Sequence, residues 1–226
     1  MKKNSFVQYC RISLLALVFV SFSGICTAPA LGYRARMDNF RKLSEYVRRE
    51  HYKSEFARFI KDLGKSESGN NWQCVNLIGC FGEWQFAEKT LHYLGHKHIT
   101  ARKFKKDPSI FPPDLQLQAL KSLIRVNLVS LKDYERFAGD TIRGVVITRS
   151  GMIAASHLGG ARSLKLFLNS KGRINKADVL GTSISDYLWK FRNYDLDTFD
   201  RYDLYCDASA HASGKTIFRK SFSQSN

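Results

Sequence analysis

One acid in this sequence is placed where chemistry is to be expected. Phe56, Phe59, Ile60 and Leu63 fall at i, i+3, i+4 and i+7, the stripe of a core-facing helix. Glu67 lies four residues beyond Leu63 and seven beyond Ile60, so a continuing helix carries it to the core side at its end. A carboxyl there is desolvated, and desolvation favours the protonated form. A carboxylic acid held protonated near neutral pH is what a general acid requires, and protonating a glycosidic oxygen is a common use of one. On periodicity alone the better reading is a helix that ends at Gly64, with Glu67 in a solvated loop.

The neighbourhood of Glu67 shifts that balance. Glu67-Ser68-Gly69-Asn70-Asn71 is followed by Gly79-Cys80-Phe81-Gly82-Glu83-Trp84-Gln85-Phe86, and later by Gly151-Met152-Ile153-Ala154-Ala155-Ser156-His157-Leu158-Gly159-Gly160. In this order the segments resemble the lysozyme-like lytic transglycosylases of bacterial cell walls. The resemblance spans roughly Ser54 to Asp195 and is that of a divergent branch. It implies a peptidoglycan-degrading lyase that cleaves the MurNAc-GlcNAc β-1,4 bond with Glu67 as general acid/base, leaving 1,6-anhydro-MurNAc ends. It also implies that Gln85 binds the glycan and that Asn76 contacts the carboxyl or the substrate. His157 stands where the family has an asparagine, and Ser156 where it has a tyrosine. Glu83 and Trp84 replace a Leu-Met pair. The implied substrate contacts are therefore Gln85, Asn76, Trp84, Ser156 and His157.

Two alternatives remain open. A lysozyme-type muramidase would hydrolyse the same bond, and Glu83 is the candidate second carboxyl. Glu83 also reads as a solvated acid at a helix N-terminus. A non-catalytic wall-binding or assembly protein on a lysozyme-like scaffold would explain the altered third segment. Trp72 and Trp84 are candidates for stacking on sugar rings, whereas Trp189 reads as core. Other chemistries have little support. His92 and His96 are four apart, with His98 close by, but no glutamate lies between them in the metalloprotease pattern. They read as surface histidines, and no metal or cofactor is expected. No nucleophile elbow or phosphate-binding loop is present. The Arg102–Lys106 run reads as a solvated basic face.

Helices must position these groups. Asp38 caps a first, with Phe40, Leu43 and Val47 on one face; Ser54 caps a second. Glu83 to Leu94 reads as helical. Leu120, Leu123, Ile124, Leu128 and Leu131 mark the longest periodic segment. Ser150 caps a helix that Gly159-Gly160 ends, Leu164, Phe167 and Leu168 mark another, and Ser185 to Phe191 form a last one. Val145 to Ile147 is the sole short β-branched run. The expected class is mainly α, a lysozyme-like single domain with a substrate cleft and only short β or extended segments. Its parts are a signal peptide (1–30), an N-terminal helix or lead-in (31–53), a catalytic domain (54–196) and a C-terminal tail (197–226).

Charge and cysteines fit an exported protein. Lys2, Lys3 and Arg11 precede Ile12–Ile25, which holds no charge, and Ala28-Pro29-Ala30 supplies small residues for cleavage after Ala30. This apolar run is short of the ~20 residues of a membrane span, so no span is expected after cleavage. The 226 residues carry 36 Lys+Arg against 20 Asp+Glu, a net charge of +16. Such an excess suits a polyanion, and for a periplasmic or secreted protein that polyanion is the cell wall, not nucleic acid. Peptidoglycan glycan strands are the expected partner, with a secretion machine or wall-assembly complex as a further one. Of the cysteines beyond residue 30, Cys74 and Cys80 close a short loop and are the candidate disulfide, leaving Cys206.

Overall fold

The structure, a computed structural model, describes residues 30–197 and 199. Residues 1–29 of the expected signal peptide (1–30), Cys206 and nearly all of the expected tail lie outside the described residues. Two compact units divide the chain, residues 1–48 and residues 49–226. The architecture is mainly helical, as expected.

Helix α1 runs Ala30–Ser68. Two helices, capped by Asp38 and Ser54, were expected here. No glycine or proline occurs from residue 34 to 63, and a cap residue alone does not stop a helix. The helix also passes through Gly64, so Glu67 sits in its last turn rather than in a loop. The chain then leaves the helix through left-handed backbone at Gly69 (φ 68°) and Asn70 (φ 63°). The Gly69 and Asn70 amides donate to the carbonyls of Lys65 (3.2 Å) and Gly64 (3.1 Å), which closes the helix end.

In the second unit, Tyr52, Phe56, Phe59 and Leu63 of α1 are buried in the core. Short helices α2 (Glu88–Tyr93) and α3 (Ala101–Lys106) follow. Helix α4 (Pro113–Leu131) buries Leu120, Ile124, Leu128 and Leu131 of the stripe read from the sequence, and Leu123 is half-buried against the core. A hairpin pairs β1 (Thr141–Ile142) with β2 (Val145–Val146) in antiparallel register. Its turn residues Arg143 (φ 50°) and Gly144 (φ 78°) are both left-handed, as a tight two-residue hairpin requires.

Helix α5 (Arg149–Asn169) packs against α4 and α6 (Ile184–Lys190). Thr148, not Ser150, caps α5, its hydroxyl accepting from the Gly151 amide at 3.2 Å. The expected end at Gly159-Gly160 is a break at Gly160 (φ 73°, ψ 159°), after which the helix resumes. Gly151 lets α5 and α6 approach: a Cβ there would stand 2.8 Å from the Leu188 carbonyl oxygen. Ser183 and Asp186 form a capping box at the start of α6. Their hydrogen bonds hold the Asp186 carboxyl below its ordinary value.

The boundary expected at residue 197 is too early for one residue. Phe199 is fully buried, its ring 5.6 Å from that of Phe56 and 6.4 Å from that of Tyr52.

Candidate active site

The end of α1, the Gly82–Phe86 turn, α5 and α6 converge on Glu67. Its side chain is only 14% exposed. The Tyr187 hydroxyl, from α6, donates to Glu67 Oε1 at 2.7 Å. Burial first, and then the Glu67 charge, push the Tyr187 phenol well above its ordinary value, so it remains a donor. Close by, the Lys190 ammonium donates to the Ser66 hydroxyl, a second tie between α6 and the end of α1.

His157, on α5, places Nε2 at 4.0 Å from Glu67 Oε1, and its side chain is 6% exposed. The same nitrogen lies 2.9 Å from the Trp84 carbonyl oxygen. A carbonyl only accepts, so Nε2 carries the hydrogen. His157 Nδ1 is buried with no hydrogen-bond partner. The third sequence segment thus contributes one side chain to the site and pins the second segment with it.

Ser68, the neighbour of Glu67, supplies another link. Its hydroxyl donates to the Glu83 carbonyl at 2.8 Å and accepts from the Asn71 amide at 3.0 Å. The segment it reaches is not the helix expected from Glu83 onward. Phe81 and Phe86 exchange backbone hydrogen bonds of 3.0 and 2.8 Å across a tight turn. Gly82 (φ 85°) and Gln85 (φ 49°) adopt left-handed backbone within it, which excludes a helix there.

Gln85 carries two marks of a functional position. Left-handed backbone strains a non-glycine residue. Its amide nitrogen donates to the Gly82 carbonyl at 2.7 Å, while its Oε1 is buried without a partner. A native fold rarely leaves such an acceptor empty.

Glu83 is half-buried, and burial raises its carboxyl above the ordinary value. Its carboxylate lies against α1 where Gly64 has no side chain. A Cβ at Gly64 would stand 2.7 Å from Glu83 Oε1 and 2.8 Å from Asn70 Oδ1.

Four expectations are corrected by these surroundings. Trp84 is buried in the core and its indole donates to the Ile60 carbonyl at 3.0 Å, so it offers no face to a sugar. Ser156 is buried, its hydroxyl turned back onto the Ile153 carbonyl at 2.9 Å within its own helix. Trp189 is 55% exposed rather than core, with the Arg192 guanidinium 4.1 Å from its ring centre. Cys74 and Cys80 are free thiols. Val75 pairs with Phe81, which sets the two cysteines diagonally across an antiparallel bridge. Diagonal positions are separated by about 7–8 Å, at or beyond the reach of a disulfide.

Asn76 acts on the loop rather than on the carboxyl. Its Oδ1 accepts from the Ile78 amide at 3.0 Å and the Cys80 amide at 2.9 Å, and so folds the turn between them. Burial raises the Cys80 thiol; a bond to Asn76 opposes this, and the Glu67 charge adds to it. Trp72 is half-buried.

Two residues of the site were not singled out from sequence. Tyr187 sits in a short helix without a local motif. Gln116 is fully buried. Its Nε2 donates to the carbonyls of Trp72 (2.9 Å) and Phe111 (2.7 Å), and its Oε1 accepts from the Glu83 amide at 2.7 Å. One side chain therefore fixes three loop segments around the site. It was legible as a glutamine four residues before Leu120, on the apolar stripe of α4. Among the described residues, no three His, Cys, Asp or Glu side chains gather as a metal site would require.

Comparison with known proteins gives no match: no family model, no curated protein and no solved structure. The likeness to lytic transglycosylases therefore rests on the motif residues themselves.

Proposed function

We propose that this chain is an exported peptidoglycan lytic transglycosylase of lysozyme-like fold, with Glu67 as its general acid/base. The observation that supports it most is the Tyr187–Glu67 hydrogen bond at 2.7 Å on a carboxyl that is 14% exposed. A phenol held protonated donates to Oε1, which leaves Oε2 as the oxygen for substrate.

The chemistry then needs one carboxyl. Glu67 Oε2–H gives its proton to the oxygen linking MurNAc to GlcNAc, and the bond from that oxygen to the muramic C1 breaks. Positive charge develops at C1. The ionised Glu67, stabilised by Tyr187, takes the proton of the same sugar's 6-hydroxyl as that oxygen attacks C1. A 1,6-anhydro ring forms, no water is consumed, and Glu67 is protonated again. Gln85 is the residue that the resemblance assigns to glycan binding, and its left-handed backbone and unpartnered Oε1 mark it as a special position. His157 holds the Gly82–Phe86 turn against the site through the Trp84 carbonyl. Beyond residue 30, 33 Lys+Arg against 20 Asp+Glu leave a net charge of +13, which suits attraction to an insoluble acidic polymer.

Digestion of purified sacculi, followed by mass spectrometry of the soluble fragments, tests the reading. Anhydromuropeptides that disappear with Glu67→Gln are expected. Reducing-end products would replace the lyase with a muramidase, and an absence of soluble fragments would leave only a wall-binding protein.

A further inference from the structure

The first unit carries a surface that the Glu67 chemistry does not use. Met37, Phe40, Leu43 and Val47 follow one another along α1 at spacings of three, three and four residues. All four are exposed, Phe40 to 54% and Val47 to 55%. Large apolar side chains grouped on one helix face in water mark an interaction surface.

Charge identifies the partner. Arg34, Arg41 and Arg48 recur every seven residues, so they form a row along one border of the apolar stripe, and all three are exposed. Between residues 34 and 49 there are six Lys or Arg against two acids, Asp38 and Glu45. An apolar strip bordered by cations is the composition of a helix that lies in a lipid interface, its apolar side among the acyl chains and its cations at the headgroups. Anionic lipid supplies the complementary charge.

A second copy of the helix fits less well. Phe40, Leu43 and Val47 occupy a, d and a positions of a heptad, but the flanking d positions are Arg36 and Glu50. A coiled coil needs the apolar pattern over three to four heptads. The excess of cations would also repel a like helix.

We propose that the Arg34–Arg49 stretch of α1 is a membrane-surface anchor that lies flat on anionic lipid. It does not span the bilayer: among the described residues no helix is long and apolar enough to do so. The anchor is independent of Glu67, and either proposal stands if the other fails.

The experiment is vesicle flotation of the full chain with phosphatidylglycerol-containing vesicles and with pure phosphatidylcholine vesicles. The wild type is compared with the double variant Phe40→Glu, Leu43→Glu. Both positions are exposed in a helix, so circular dichroism is expected to show unchanged helix content. The apolar Ile12–Ile25 segment is common to both chains, so any difference belongs to the face. The double variant is expected to lose at least about tenfold in binding to the anionic vesicles. Phe40→Trp is expected to blue-shift its emission on those vesicles, while Lys42→Trp, away from the stripe, is not. Undiminished binding of the double variant would overturn the proposal. So would a wild-type dimer that the double variant dissociates, with no vesicle binding by either, since the face would then be a seam between copies.

Discussion

Glu67 and Glu83 are sixteen residues apart in sequence, yet their carboxyls meet different surroundings. Glu67 is answered by one donor, the Tyr187 hydroxyl at 2.7 Å, while the His157 nitrogen 4.0 Å away spends its hydrogen on the Trp84 carbonyl. Glu83 lies against the bare backbone of Gly64, and burial is the sole cause of its raised carboxyl value. One acid holds a hydrogen-bond donor on its carboxyl; the other is discouraged from ionising by burial. An acid's role follows from what donates to it, more than from the motif it sits in.

The largest effect expected from breaking this contrast is at Glu67. Glu67→Gln keeps the shape and the Tyr187 contact but has no proton to give. Sacculus-digesting activity is expected to fall about 10²–10⁴-fold with the melting temperature nearly unchanged. The reciprocal variant, Glu83→Gln, is expected to retain most activity. Equal losses in the two variants, measured as muropeptide release, would erase the contrast and favour two working carboxyls.

Gln116→Leu comes next and asks what holds the two acids in their separate places. The substitution leaves the Trp72 and Phe111 carbonyls and the Glu83 amide without their partner. A cost of about 3 kcal/mol is expected in urea unfolding, from buried groups left unpaired. A loss under about 0.5 kcal/mol would mean that water replaces the glutamine freely and that the Glu83 turn is held otherwise.

Tyr187→Phe tests the donor side alone. It removes one hydrogen bond to a charged group, worth about 1.5–3 kcal/mol where it forms. Activity is expected to drop about tenfold or more, because the ionised Glu67 loses the donor that steadies it. Full activity in this variant would show that the 2.7 Å contact is structural only.

These residues also show what could be read in the chain. The apolar stripe through Leu63 is a local pattern, and it placed Glu67 correctly once the helix was known to pass Gly64. The stripe of α4 was equally legible. Trp84 was not, because an indole beside a cleft motif and an indole buried beneath one have the same neighbours in sequence. Its burial is decided by the Ile60 carbonyl, twenty-four residues away. Tyr187 reaches Glu67 across one hundred and twenty residues, and no local period carries that information. The Asp38 and Ser54 caps failed for the opposite reason: local propensity was present, and uninterrupted helix formers overrode it.

The smallest effect is at Glu83, and its sign is fixed by the direction of its shift. The ordinary carboxyl value is 4.5, and burial raises it in the fold. Folding then favours the protonated form. That contribution is fully present below about pH 4.5 and is lost as pH rises through the raised folded value. Above that raised value the fold carries the cost of an ionised, half-buried Glu83, which Glu83→Gln relieves. The variant is therefore expected to be the more stable chain at pH 7, by a small margin because solvent screens a half-exposed carboxyl. The difference is expected to vanish below pH 4.5. Paired calorimetric melts at pH 7 and pH 4 measure it. A variant that is less stable at pH 7, with the gap closing at pH 4, would reverse the sign: Glu83 would then be an anion that the fold wants charged. It would need a cation or donor of its own, and the contrast with Glu67 would narrow to a difference of degree.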